Sequence, residues 1–190
     1  MAGEMPAALL ILPGYNGSGP EHWQTKWERD LPGARRVPVE DWDHPVCKDW
    51  VAGLELAVAE AGPDTILVAH SLGCLQVAHW AATAKRKIRG ALLVAPPDPD
   101  RPAFPKDIVG FQPLPRRPLG FPSILVASHD DPYSTLAFSR ALAAAWGSEF
   151  IDAGPCGHIN AGSGLGDWPM GKECLGRLLG DVPGRPAHLG

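Results

Sequence analysis

A chain of 190 residues with 45% hydrophobic and 20% charged side chains has the balance of an ordinary globule, long enough to bury a core as one domain. The formal charge of −4 carries no basic field, so neither nucleic acid nor an anionic membrane is expected as a partner. No apolar run reaches membrane-spanning length.

The opening MAGEMPAALLIL holds an acidic residue and only a short apolar run, so it does not read as a signal peptide. Ala8–Leu12 reads as a first strand. It ends in the turn-rich loop Pro13–Pro20, whose glycines could present backbone N–H groups to an anion; a plain connector is the alternative. The G-x-G-x-x-G spacing of a dinucleotide site is absent. A helix is predicted around His22–Asp30, with Trp23 and Trp27 one turn apart. Arg36–Val39 reads as a short strand that Pro38 confines to an edge or an end. The stripe Trp50, Val51, Leu54 and Val58 predicts a helix over Cys47–Ala61, closed by Gly62-Pro63.

The stretch Thr65–Trp80 organises the chain. Thr65–Ala69 is continuously apolar, as a strand buried on both faces must be. From Leu72 the apolar residues recur at helical spacing. Between them Ala69-His70-Ser71-Leu72-Gly73 places a serine two residues from a small side chain on either side. That is the pattern of a nucleophile elbow, a strained strand-to-helix turn, with Ala69 where the usual motif has glycine. The competing reading is a helix N-cap, which serine also makes well.

Gly90–Val94 is the next buried strand. Pro96–Pro122 follows, with nine prolines in 27 residues, too many for regular structure. Phe104 and Phe111 are candidate apolar walls there, and a proline-stiffened surface loop is the alternative. A strand at Ser123–Ser128, a helix over Ser134–Trp146, a strand at Glu149–Ile151 and a helix near Pro169–Leu179 complete the pattern. The alternation predicts a three-layer α/β/α sandwich around a mostly parallel sheet of about six strands, with residues 1–180 as one domain and 181–190 as a poorly ordered tail.

Asp131 and His158 each lie just past a strand, in the order Ser, Asp, His that a hydrolase of this architecture requires. In that reading His158 takes the proton of Ser71, and the carboxylate orients the ring. The N–H groups of Leu72 and Tyr15 would receive the oxyanion. Asp130 and Asp98 remain alternatives for the acid. His22, His44, His79 and His129 read as surface residues, His188 falls in the tail, and His70 should point away across the elbow. Cys156 is a weaker nucleophile candidate, lacking an elbow. Cys47, Cys74, Cys156 and Cys174 form no C-x-x-C pair, which suits reduced thiols in a cytoplasmic protein and supplies no zinc site.

Together these residues resemble the small serine hydrolases related to retinoblastoma-binding protein 9 and its bacterial relatives. The resemblance runs from Leu10 to about Leu179, through P-G-Y-N-G with E-H-W, V-A-H-S-L-G, L-L-V-A-P, D-P-Y and G-H-I-N. It implies a compact, lidless α/β-hydrolase without cofactor or metal, and it assigns the acid to Asp131. It would place Trp23 beside the active site, and Asn16 is a further pocket candidate. The L-x-C-x-E motif for retinoblastoma-protein binding is absent, since Leu72-Gly73-Cys74-Leu75-Gln76 ends in Gln and is buried by pattern. The expected activity is cleavage of small carboxylic esters, or of thioesters or amides, through an acyl-enzyme on Ser71. The alternatives are a non-catalytic binding protein on the same scaffold, and an aminopeptidase-like or acyltransferase activity.

Overall fold

In the computed structural model, which describes residues 7–180, six parallel strands stand in the order β2-β1-β3-β4-β5-β6. The strands are β1 Ala8–Leu12, β2 Ala34–Arg36, β3 Thr65–His70, β4 Gly90–Val94, β5 Ser123–Ala127 and β6 Glu149–Asp152. Five helices connect or follow them: α1 Trp23–Asp30, α2 Cys47–Ala61, α3 Leu72–Thr83, α4 Leu136–Trp146 and α5 Pro169–Leu179. The proposed tail, 181–190, and His188 within it lie outside the described residues. No helix among the described residues is long and apolar enough to cross a membrane.

Side chains alternate across a strand, so each central strand feeds two cores. Leu10, Leu12, Leu67, Ala69, Leu93 and Leu125 pack under α2, α3 and α4. Leu9, Ile11, Ile66, Val68, Val94 and Val126 meet α1 and α5, with Trp23, Trp27 and Trp168. Both faces are covered, which is why these strands read as unbroken apolar runs.

The second strand sits two residues earlier than predicted, at Ala34–Arg36 rather than Arg36–Val39. Val37 N–H still donates to Ile11 C=O, but Pro38 has no N–H with which to continue the ladder. The proline-rich segment is a tethered wall. Val46 bridges Val109, Trp146 Nε1–H donates to Pro115 C=O, and Phe111, Leu114 and Leu119 are buried in the core.

Because every strand runs the same way, all the carboxyl ends share one edge. The strand order reverses between β1 and β3, and the crevice outside that reversal is the expected ligand position in such a sheet.

Candidate active site

Ser71 occupies the turn between β3 and α3 with φ 55° and ψ −124°, a strained conformation for a residue with a side chain. Its side chain caps nothing. Backbone approach at this turn demands small neighbours. A Cβ on Gly73 would lie 2.4 Å from Leu12 C=O, and one on Gly14 would lie 2.8 Å from Ser71 Cβ. Ala69 is fully buried, yet its methyl is accommodated at the position where glycine is usual.

The loop after β6 brings His158 across to this turn. Ser71 Oγ is 2.8 Å from His158 Nε2. On the opposite side of the ring, Nδ1 lies 3.0 Å from both carboxylate oxygens of Asp131. A carboxylate can only accept, so Nδ1 carries the proton and Nε2 offers its lone pair to the serine hydroxyl. Asp131 is buried, and Tyr133 N–H donates to it. The Tyr133 ring stands edge-on to His158 at 4.5 Å between centroids.

The other candidates for the acid fall elsewhere. Asp130 accepts from Gly157 N–H and Ser128 Oγ–H, which hold its carboxyl below the usual range while it braces the histidine loop. Asp98 borders the cavity, but its side chain accepts from Asp100 N–H within its own turn. Cys156 Sγ–H donates to Ala153 C=O, and burial, followed by Asp130 and Asp152, pushes its thiol up.

Beside Ser71 opens a cavity of about 440 Å³. Phe104, Pro105 and Ile108 form an apolar wall, and Asn16 and Asn160 contribute polar side chains. Tyr15 and Leu72 line it too. Among the described residues neither of their N–H groups donates to another protein group. Phe111, the other predicted wall, is in the core instead. Among the described residues no three His, Cys, Asp or Glu side chains gather as a metal site requires.

Three further predictions are corrected. Trp23 does not line this cavity; it is buried with Trp27 and Trp168, and its Nε1–H donates to Ile159 C=O at 2.8 Å. His22 is not a surface residue. It caps α1 through Nδ1, which accepts from Gln24 N–H, and burial, aided by Arg36 and His158, lowers its pKa to about 4. His70 does not turn away, because its ring lies 4.9 Å from that of His158 and borders the cavity.

Sequence reasoning also passed over Gln24. Its buried amide donates to Leu12 C=O and Val68 C=O and accepts from Ser18 Oγ–H, tying the loop Pro13–Pro20 to the ends of β1 and β3. A glutamine on a helix with two tryptophans carries no sequence signal for that task.

The Serine hydrolase family model matches residues 9–177. No curated protein matches the chain. A protein of Pectobacterium atrosepticum described as a YdeN-like hydrolase is similar at 32% identity and TM-score 0.80, covering 93% of this chain and 92% of that one. The ydeN gene product of B. subtilis is similar at 20% identity and TM-score 0.75, over 91% of this chain and 98% of that one. The esterase RhEst1 from Rhodococcus sp. shares the fold at 15% identity and TM-score 0.67, over 93% and 91%.

Proposed function

This chain belongs to the serine hydrolase family, and from that premise we propose that it cleaves small carboxylic esters through an acyl-enzyme on Ser71. The observation that carries the reading is the hydrogen-bonded chain from Ser71 Oγ through both nitrogens of His158 to Asp131.

The chemistry follows from that chain. His158 Nε2 removes the hydroxyl proton as Ser71 Oγ attacks the ester carbonyl carbon. The carbonyl oxygen becomes an oxyanion, received by the N–H groups of Tyr15 and Leu72. The intermediate collapses by breaking the bond to the alcohol oxygen, which takes the proton from His158. Water then gives a proton to His158 as it attacks the acyl carbon, and the second intermediate collapses by breaking the bond to Ser71 Oγ, which takes that proton back from His158 as the acid leaves. Asp131 keeps the proton on Nδ1 and stabilises the imidazolium that forms twice per cycle.

An ester substrate agrees with a cavity large enough for a small ligand and walled by apolar side chains. The Rhodococcus esterase that shares the fold points the same way. Cytoplasmic residence is part of the proposal, supported by four cysteines that are all free thiols.

Labelling with a fluorophosphonate probe, followed by peptide mapping, tests the reading. Wild type should take one adduct on Ser71 and hydrolyse p-nitrophenyl esters. Ser71→Ala should lose the adduct and about 10⁴–10⁶-fold in rate while keeping its fold. A folded wild type that takes no adduct would sink the assignment.

A further inference from the structure

His158 is delivered from the far edge of the sheet. Its loop leaves β6, whereas Ser71 stands at the end of β3, three inter-strand spacings or about 14 Å away. A reach of that length needs anchors at both ends. At the near end, Gly157 N–H donates to Asp130 and Cys156 N–H to Ser128 Oγ. The far end is anchored differently. His70 Nε2 is 2.8 Å from His158 C=O, and Trp23 Nε1 is 2.8 Å from Ile159 C=O.

Two consecutive carbonyls are therefore held by two buried ring N–H groups. A carbonyl only accepts, so His70 must present its Nε2 proton. His22 packs against the His70 ring at 4.7 Å between centroids and His158 at 4.9 Å, each edge-on. The residue between the grips is strained. Ile159 is fully buried at φ 48°, a conformation that a β-branched side chain adopts only when its surroundings impose it.

We infer that His70 and Trp23 form a two-donor clamp that positions His158 against Ser71 by holding the strained turn at Ile159. The inference rests on the reading of Ser71 as nucleophile and His158 as its base. His70 packs against the His158 ring and bonds its backbone, Trp23 bonds Ile159, and neither takes part in the proton or acyl transfers of this scheme. Both are positioning residues, and Trp23, which misses the cavity, influences turnover through the backbone of the histidine loop.

Four variants test this: His70→Phe and Trp23→Phe, which keep an aromatic ring but remove the donor, their combination, and His70→Gln, whose amide can donate from the Nε2 position. Each single Phe variant should lower kcat for p-nitrophenyl acetate about 3- to 10-fold, with KM within about twofold. Either grip alone still restrains the turn, so the double variant should lose more than the product of the singles. His70→Gln should recover most of the His70→Phe loss.

Independently of turnover, the proton on His158 Nδ1, bonded to Asp131, should give a downfield NMR signal in wild type that is lost in the double variant. A folded double variant that keeps both its kcat within about twofold and this signal overturns the clamp. Should the double variant not fold, the two single variants are judged by the same criteria. A wild type without esterase activity or probe adduct would fail the hydrolase reading instead, and the NMR signal would then decide the clamp alone.

Discussion

Acidification from pH 7.5 to 5 should destabilise the fold by about 2 kcal/mol through His22 alone. The residue is 4% exposed, and its Nε2 has no hydrogen-bond partner among the described residues. Because Nδ1 accepts from Gln24 N–H, the neutral ring carries its proton on Nε2, and a second proton would have to enter at Nδ1, breaking the cap and leaving a buried charge with no acceptor. Burial first, then Arg36 and His158, hold its pKa at about 4, against 6.5 in the unfolded chain. Between those values the unfolded state binds more protons, so stability rises with pH across the window. The contribution is complete above about 6.5 and is lost as the pH falls towards 4. At pH 5 the unfolded ring is almost all charged and the folded ring almost all neutral, which gives about 2 kcal/mol. His70, whose pKa burial also lowers, adds a loss of the same sign. Exposed His44, raised by Asp41, works in the opposite direction. Urea denaturation across this pH range measures the sum. His22→Asn isolates the term, because Asn retains a cap acceptor for Gln24 N–H but does not titrate. Between pH 7.5 and 5 the variant should lose about 2 kcal/mol less than wild type. Equal pH dependence in the two proteins would refute the argument.

Two further outcomes follow from packing at the site. Gly73→Ala would drive a methyl carbon to 2.4 Å from Leu12 C=O, so it should cost more than about 2 kcal/mol in denaturant titration and abolish probe labelling. Phe104→Ala removes the largest side chain of the apolar wall. It should raise kcat/KM for longer acyl p-nitrophenyl esters relative to acetate, and an unchanged ratio would place the acyl chain elsewhere.

What the sequence revealed depended on how local its cause was. The apolar run before Ser71, the helical spacing after it and the helix Cys47–Ala61 are set by neighbouring residues, and these were legible. The placement of Asp131 and His158 beyond strand ends followed from chain order and parallel topology. Side-chain direction was less accessible. His22 and His70 lie beside turns, where histidines are usually solvated, yet a loop from residues about ninety positions later covers His70. Trp23 likewise satisfies helical spacing whether it faces a cavity or a core, and its burial against Trp27 and Trp168, with its bond to Ile159, distinguishes the two. The walls formed by the proline-rich segment depend on contacts with Val46 and Trp146 that no local pattern encodes.

The strand that carries the histidine loop is also the sheet's margin. β6 has a single neighbour, β5, and its terminal residues Glu149 and Asp152 face solvent. Margins open first, with free energies below that of global unfolding. A brief fraying of β6 would loosen the near end of the histidine loop and leave His158 held only from its far side, while the other five strands kept their pairing. For this molecule, then, the lifetime of the working state and the lifetime of the folded state are separate quantities, and heat or mild denaturant will exhaust the first before the second.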